Sequence, residues 1–318
     1  MVKVLKKNKF LYYIHSYLMY CVSVKEYQEQ IRTLETKLAN HQLREVEERV
    51  KYYNQLDKSD FPFSTSHKIK DLKKPKSPTT YYHDTYEYAR FFDENFGLNF
   101  TFGDVVHVPE IPSIVKSRPV GDHNKNSVLL NLDKARHFIW VKDNRPFHEK
   151  KNMLIGRGAI YQEHRYRFYE KFFRHPLCNL GQVNKTGAKP DEWLKPKISF
   201  AGHLEYKFIL CLQGNDVASN LKWVMSSNSI AVMPKPTLET WFMEGKLEGG
   251  KHYIEIKDDY SDLEDQLNYY ISNVDECLKI IRNANAFCTQ FYHQDIEDLC
   301  SLKVLEKYFA RFISEKTV

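Results

Sequence analysis

Short apolar runs alternate with helix-like stretches between residues 199 and 262 of this chain. The runs FILCLQG and SIAVM predict buried strands, and ASNLKWVM between them has a helix-like pattern. Each apolar run ends in polar, Gly or Pro residues, which is typical of a parallel sheet with crossover helices. Ligands bind at the carboxyl ends of the strands in such sheets, so this segment predicts half of a nucleotide-binding site.

A strand–helix–strand unit with a glycine turn precedes this segment. NMLIGRG (152–158) predicts a strand, QEHRYRFYEKFF (162–173) a helix and LCNLGQV (177–183) the next strand. Backbone amides at the start of that helix, together with Arg157 and Arg165, would form a diphosphate cradle. A tight turn with surface arginines is an equal alternative, because G-R-G is neither a dinucleotide fingerprint nor a Walker motif.

Longer helical patterns lie on either side of these units. Residues 24–56 carry a heptad-like stripe with a phase slip near Asn40. The stripe fits a coiled-coil arm that forms a homodimer, and equally a helix packed on its own domain. Three further helices are predicted: an aromatic one over 81–97 that ends at a Gly97 cap, an amphipathic one over 262–283 and a closing one over 293–315.

The changes of pattern along the chain predict an α/β protein with two main domains. At 318 residues and 42% hydrophobic content, the chain can form two cores. The predicted segments are a helical arm and linker over 1–80, an α/β domain with short strands over 81–147, a nucleotide-binding α/β domain over 148–290 and a C-terminal helix over 291–318. The short strands of the first α/β domain are expected at the apolar runs of residues 98–142, which are NFTF, VVHV, SIV, SVLLNL and HFIWV.

Composition and charge restrict the class of partner. The net charge of +6 favours sugar nucleotides, phosphorylated glycans or a membrane surface, but it is too small and dispersed to predict nucleic-acid binding. The six cysteines have no metal-ligand spacing and predict free thiols in a reducing compartment. The N-terminal FLYYIHSYLMYCV has no signal-peptide cleavage site and is too short and polar to span a membrane. We therefore expect a cytoplasmic protein in which this stretch is a packed helix or, alternatively, an interfacial anchor.

Several charged residues are candidates for chemistry. Lys207, Lys222 and Lys235 form a second basic set, although Lys207 could also snorkel from inside a strand. Glu239 beside Trp241 could seat a sugar hydroxyl, or the pair could begin a helix with a buried Trp. The isolated acids are candidate general bases or solvated surface acids: Asp104, Glu110, Asp122 and Asp143.

No D-x-D pair occurs in the chain. Transferases that hold a sugar diphosphate through a divalent metal usually need paired carboxylates at that spacing. The absence of the pair favours a metal-independent mechanism in which arginines and backbone amides neutralise the leaving diphosphate.

Residues 98–290 resemble glycosyltransferase family 90. That family includes bacterial lipopolysaccharide-core transferases of the LpsA type, capsule-associated fungal proteins and eukaryotic protein O-glucosyltransferases, and the similarity is greatest to the bacterial enzymes. The matching blocks keep their order: IPSIVKSRPV (111–120), ARHFIWVKD (135–143), GRGAIYQEHR (156–165), HPLCNLGQVNK (175–185), the long block 203–247 and HYIEIKDDYSDL (252–263).

The resemblance implies a GT-B fold, in which two Rossmann-like domains face a cleft. It implies a UDP-hexose donor held by the second domain, inversion at the anomeric carbon and no metal cofactor. Asn220 takes the place of an arginine that contacts the diphosphate in eukaryotic members, with Lys222 two residues on, so the diphosphate clamp would be arranged differently. The family's donor motifs fall on Arg157, Gly158, Arg165, Tyr206, Lys207, Gly214 and Ser229, with a further element at His252 and Tyr253.

The resemblance also indicates a catalytic base. The aspartate of eukaryotic members lies in an R-D-Y-P motif that this chain lacks, and Asp104 in TFGDVV is the nearest matching position. Lys116, Arg118 and His137 would hold phosphates of the acceptor, or they are ordinary surface charges. We therefore expect an inverting hexosyltransferase that moves glucose or galactose from a UDP donor to a lipooligosaccharide core. Glu239 and the residues of the donor motifs would bind the donor.

Two other classes of function stay open at this point. One is a capsule or protein glycosyltransferase of the same fold with a different acceptor. The other is a non-catalytic sugar-nucleotide-binding or scaffold protein. For the transferase, a phosphorylated glycolipid acceptor and a positive net charge predict peripheral contact with the cytoplasmic face of the inner membrane.

Overall fold

The computed structural model describes residues 2–6, 8–21, 26–73, 80–184, 190–310 and 312–313. The helices are α1 (Lys9–Leu18), α2 (Tyr27–Glu35), α3 (Asn40–Tyr53), α4 (Thr80–Ala89), α5 (Lys134–His137), α6 (Glu163–Phe172), α7 (Phe200–His203), α8 (Leu221–Met225), α9 (Leu263–Ser272), α10 (Val274–Thr289) and α11 (Gln294–Tyr308). The strands are β1 (Lys3–Leu5), β2 (His67–Lys68), β3 (Gly97–Leu98), β4 (Phe100–Thr101), β5 (Ser113–Val115), β6 (Ser117–Pro119), β7 (Ser127–Leu129), β8 (Trp140–Lys142), β9 (Lys151–Gly158), β10 (Cys178–Gln182), β11 (Tyr206–Leu210), β12 (Ile230–Met233), β13 (Leu238–Thr240) and β14 (Ile254–Glu255).

The chain divides into two compact units that interleave along the sequence. Unit 1 comprises Met1–Lys6, His137–Pro236 and Lys246–Gln290, and unit 2 comprises Lys7–Arg136, Thr237–Gly245 and Phe291–Val318. The sequence patterns place a boundary near residue 148, whereas unit 1 takes in the chain from His137 onward. Residues 237–245, which the patterns place in the nucleotide-binding domain, belong to unit 2.

Unit 1 is built on a five-stranded parallel sheet with the strand order β10–β9–β11–β12–β14. Helix α6 connects β9 to β10, and α8 connects β11 to β12, as the alternating pattern predicts. Leu154, Phe208, Val232 and Ile254 are fully buried in these strands. Strands of a parallel sheet are covered on both faces, which explains the continuous apolar runs. The predicted α/β class is confirmed.

Unit 2 contains a smaller parallel sheet, β4–β5–β7, and the antiparallel pairs β2–β3 and β6–β13. The predicted runs NFTF, SIV and SVLLNL supply β4, β5 and β7. The run VVHV (105–108) forms no strand, and of its three valines only Val105 is buried, while Val106 is half-exposed and Val108 is partly buried.

The stripe over residues 24–56 forms two helices, α2 and α3, and the break between them ends at Asn40, where the phase slip is predicted. Ile31, Leu34 and Val46 on this stripe are buried, and both helices pack against α11 in the same unit. The apolar stripe is therefore used inside unit 2, as expected for helices packed on their own domain.

Two helix predictions are wrong in extent. The helix expected over 262–283 is interrupted at Asn273, whose backbone is not helical and whose side-chain amide donates to the Tyr269 carbonyl at 2.8 Å. Asparagine side chains compete in this way with the helical backbone hydrogen bonds. The aromatic helix ends at Ala89 rather than at Gly97, which lies in β3 where a side chain would collide with Thr65.

All six cysteines are free thiols, as predicted, and five of them are buried while Cys21 is exposed. Within the described ranges, none of the helices combines the length and apolar character needed to cross a membrane.

Candidate functional site

The carboxyl edge of the parallel sheet in unit 1 brings together three of the predicted donor-binding residues. Gly158 ends β9, Gly214 follows β11, and Arg165 lies in the first turn of α6. A Cβ atom built at Gly214 would lie 3.5 Å from Arg165 Nη2, and one built at Gly158 would lie 4.0 Å from Arg165 Nη1. The two glycines therefore border the guanidinium and leave space beside it.

The Arg165 guanidinium binds the ends of the strands. Its Nε donates to the carbonyl of Gln213 at 2.7 Å, its Nη1 to that of Ala159 at 2.9 Å and its Nη2 to that of Leu212 at 2.8 Å. These bonds use three of the five N–H groups of an arginine, so two remain for a ligand.

Arg165 has no carboxylate counter-ion among the residues that the structure describes. No carboxylate among the described residues lies within ion-pair distance of it, and its protein partners are backbone carbonyls. Burial lowers the pKa of the Arg165 guanidinium, because the charged form loses hydration. A partly buried cation without a counter-ion favours the binding of an anionic ligand.

The N-terminus of α6 lies at the same edge. Its N-cap residue is Gln162, whose side-chain amide donates to Asn215 Oδ1 at 2.8 Å instead of capping the helix. His164 in the first turn lies 2.9 Å from the carbonyl of Gln213 through its Nε2. Uncapped backbone amides at the start of a helix attract negative charge, so this end of α6 adds to the field of Arg165.

Arg157 points away from this edge. Its Nη1 donates to the Asn179 carbonyl and its Nη2 to Asn179 Oδ1, both at 2.8 Å. The register partner of Arg157 on β10 is Gly181, so the guanidinium runs back along the sheet toward the amino ends of the strands. The two arginines that the sequence predicts as one cradle therefore bind different partners, Asn179 on β10 for Arg157 and the strand-end carbonyls for Arg165.

Three other predicted donor residues lie at the amino edge of the sheet. Tyr206 begins β11, and its hydroxyl accepts a hydrogen bond from Asn179 at 2.6 Å. Ser229 precedes β12 and donates to the Tyr206 carbonyl at 2.8 Å. Lys207 is buried with its ammonium 4.9 Å from the Phe147 ring centre. These side chains make contacts inside unit 1, and they lie at the opposite edge from Arg165.

Asn220 lies near the carboxyl edge of the sheet, whereas Lys222 is buried. Asn220 precedes α8 near the carboxyl edge, where its side-chain amide donates to the Leu210 carbonyl at 2.9 Å. Lys222 is fully buried, with its ammonium 5.6 Å from the Phe138 ring centre. A buried lysine in this place is not presented to a ligand at the edge. Lys235, after β12, is exposed.

Arg118 and Glu239, predicted to bind different substrates, form one buried ion pair in unit 2. They face each other across the β6–β13 pair, with Arg118 Nε 2.7 Å from Glu239 Oε1. Neither is more than 2% exposed. Tyr52 also donates to Glu239, and Arg118 donates to three backbone carbonyls. These contacts give the pair a structural role in holding residues 237–245.

Asp104 is partly exposed in unit 2 and forms an ion pair with the buried ammonium of Lys116. Glu110 and Asp122, the next candidate bases, are exposed. The side chain of Asp143 is buried in unit 1, where it pairs with Lys150 at 2.7 Å and accepts from the backbone amide of Asn228. Of the four candidate acids, Asp104 is therefore the one that is both oriented by a cation and accessible.

The remaining predicted residues lie in unit 1. His137 is 3% exposed and does not belong to the unit that holds Lys116 and Arg118. His252 Nδ1 accepts from the Glu248 amide at 3.0 Å, and Tyr253 donates to Glu255. Across the described part of the chain, no group of three or more His, Cys, Asp and Glu side chains is arranged to hold a metal.

Comparisons with known proteins agree with the resemblance drawn from the sequence. The model of glycosyl transferase family 90 matches residues 161–317. The O-glucosyltransferase LpsA of Dichelobacter nodosus is 42% identical over 266 residues, which cover 83% of this chain and 83% of that protein. The chain belongs to glycosyltransferase family 90. It is therefore a glycosyltransferase, and the predicted family is confirmed.

Unit 2 of this family 90 protein contains a buried cluster of side chains around Glu297 that the sequence does not reveal. Glu297 on α11 is buried and accepts from Arg49 Nη2 at 2.5 Å and from the Trp241 indole at 2.6 Å. Trp241 also stacks on Tyr53 with ring centres 3.8 Å apart. The segment predicted to seat a sugar hydroxyl is thus buried by side chains from distant parts of the chain, and no local pattern signals their contact.

Proposed function

We propose that this family 90 enzyme transfers a hexose from a UDP-sugar to a sugar hydroxyl of a lipooligosaccharide core, with inversion and without a metal. The relative from Dichelobacter nodosus is an O-glucosyltransferase, which supports a glucosyl donor as the first to test, with the galactosyl donor second. The GT-B arrangement, with the donor on unit 1 and the acceptor on unit 2, belongs to the same proposal.

One observation supports the donor site above the others. Arg165 is a cation at the carboxyl edge of a parallel sheet, next to the start of a helix, and no described carboxylate pairs with it. Nucleotide ligands bind at this edge in open α/β sheets. The two remaining N–H groups and the space beside Gly214 would receive the diphosphate of the donor.

Inversion corresponds to a single displacement at the anomeric carbon. The acceptor oxygen forms the new bond to this carbon while the bond to the UDP oxygen breaks, and the Asp104 carboxylate takes the acceptor proton. Lys116 orients that carboxylate through the ion pair. Arg165 and the first amides of α6 stabilise the charge that develops on UDP, which is electrostatic stabilisation of the transition state.

The test is release of UDP from UDP-glucose and UDP-galactose with truncated lipooligosaccharide as acceptor and EDTA present. We expect acceptor-dependent release in EDTA, and a loss of at least about 100-fold for Asp104→Asn, because general-base catalysis contributes about that much. Glu110→Gln is the matched control, since Glu110 is an exposed acid nearby in sequence.

Each part of the proposal has an outcome that contradicts it. Release abolished by EDTA and restored by a divalent metal would overturn the metal-free mechanism. Full activity of Asp104→Asn would assign the base to another residue. Transfer to a polypeptide or a capsule polymer, but not to lipooligosaccharide, would replace the acceptor. UDP binding without release or transfer to any of them would favour a binding protein.

A further inference from the structure

The N-terminal helix α1 presents its apolar face to solvent. Its exposed apolar side chains recur at i, i+1, i+4, i+7 and i+8, which is the spacing of one helical face. This outer face consists of Phe10, Leu11, Ile14, Tyr17 and Leu18, with exposed fractions of 73%, 61%, 41%, 58% and 56%. An apolar face of this kind is normally buried, so its exposure indicates a partner surface.

The opposite face of α1 is fixed to unit 2 by polar contacts. The Tyr12 hydroxyl donates to Asp84 Oδ1 on α4 at 2.8 Å, and Tyr12, Ser16 and Met19 are buried. Just after the helix, Tyr20 stacks on Tyr86 with ring centres 4.7 Å apart. The inner face therefore orients α1, and the outer face is left for a contact outside the unit.

The charge of the N-terminal segment indicates the chemistry of that partner. Residues 1–25 contain five lysines and no acidic residue, and the first carboxylate is that of Glu26. A helix with one apolar face in a lysine-rich stretch of sequence is typical of segments that lie in the interface of anionic membranes.

We infer that α1 docks this enzyme on an anionic lipid surface, with its axis in the plane of the interface and its outer face inserted among the acyl chains. The helix has 10 residues, or about 15 Å at the usual rise, which is half the thickness of a bilayer core. The inference deepens the proposed function, on which it rests for its biological sense, because a glycolipid acceptor lies in a membrane.

The test is co-sedimentation of the full chain with vesicles of phosphatidylcholine alone and of phosphatidylcholine with phosphatidylglycerol. We expect binding to the anionic vesicles that weakens as salt is raised. The double variant Ile14→Ser and Leu18→Ser should bind about tenfold to a hundredfold more weakly, because two apolar side chains lose their burial in lipid.

The matched control removes two exposed apolar side chains elsewhere. Tyr269 and Val274, on α9 and α10, are 53% and 37% exposed. The double variant Tyr269→Ser and Val274→Ser should bind the anionic vesicles within about twofold of the unaltered chain. Thermal unfolding should be the same for the α1 variant and the unaltered chain, since the outer face is exposed.

Three results would overturn the inference. The first is no binding of the unaltered chain to anionic vesicles, and the second is equal binding by the α1 variant. The third is a dimer in lipid-free sedimentation that the α1 substitutions dissociate, which would assign the outer face to a second copy. UDP release with a delipidated, water-soluble acceptor tests the proposed function independently, so the two can fail separately.

Discussion

Arg165 in unit 1 and Arg118 in unit 2 are two arginines that the sequence presents as equal candidates for substrate binding. Arg118 is fully buried, is paired with Glu239 and donates to three carbonyls besides. Arg165 is partly buried, donates to three carbonyls and has no carboxylate partner among the described residues. The counter-ion distinguishes them.

This difference indicates how each arginine contributes. A buried cation whose charge is matched inside the protein adds specificity to the fold and has little left to offer a ligand. A cation at a sheet edge whose charge is not matched is stabilised when an anion binds. The arginine whose charge is not matched by a described carboxylate is therefore the better candidate for binding a ligand.

The largest effect on stability is expected at Arg118. Arg118→Met would leave Glu239 buried without its cation, and breaking a buried pair on one side costs about 3–5 kcal/mol. Urea unfolding measures the loss. Arg118→Met with Glu239→Gln should recover part of it, because no uncompensated charge is left.

Arg174 provides the control for that experiment. It pairs with Glu192 at 2.9 Å, but its side chain is 81% exposed, and an exposed ion pair contributes no more than about 1 kcal/mol. Equal losses for Arg174→Met and Arg118→Met would contradict the structural role given to the buried pair.

At the donor site, the largest effect on turnover is expected at Arg165. Arg165→Lys keeps the positive charge but loses the planar fork that can reach the strand carbonyls and a phosphate together. We expect kcat/KM for the UDP-sugar to fall about 100-fold to 1000-fold, which is the usual effect of removing one donor to the transition state. The measurement is UDP release against donor concentration.

Arg165 also connects strand ends, so a lower stability alone would not establish a role in binding. Arg167→Lys, an exposed position on the same helix, is the matched control. UDP affinity of the folded Arg165 variant, measured by calorimetry, separates the two roles. Unchanged UDP affinity together with lower stability would make Arg165 a purely structural residue.

The sequence predicts the sheet of unit 1 well because the relevant signals are local. NMLIGRG and LCNLGQV each contain the apolar run and the punctuation that define β9 and β10. The glycines at the strand ends are visible in the same way. Such patterns give the order of the elements and, through the rule for parallel sheets, the edge at which a ligand is expected.

The sequence does not predict which side chains face that edge. Arg157 and Arg165 stand eight positions apart, yet one runs back along β10 to Asn179 while the other turns to the strand ends. Arg118 and Glu239 are 121 positions apart, and only their pairing across β6 and β13 reveals the ion pair. Side-chain direction and long-range pairing depend on the whole fold.

Gly214→Ala should change donor binding without changing the fold. The added methyl group would lie 3.5 Å from Arg165 Nη2 and 3.6 Å from the Val217 carbonyl, which are ordinary contact distances. We expect stability within about 0.5 kcal/mol of the unaltered chain. Donor KM should rise about tenfold, because the methyl group occupies the space beside the guanidinium. An unchanged KM would place the diphosphate elsewhere.

The smallest effect on donor KM is expected at Ser229, a predicted donor residue at the amino edge. Its hydroxyl is buried and donates to the Tyr206 carbonyl, so Ser229→Ala should cost about 1 kcal/mol of stability, the usual value for one hydrogen bond. We expect KM for the UDP-sugar to stay within about twofold, because the strands place Ser229 at the opposite edge from Arg165. A large rise in donor KM in a folded Ser229→Ala variant would instead mean that the donor reaches the amino edge. Binding at the carboxyl edge would then be wrong, although the family would be unaffected.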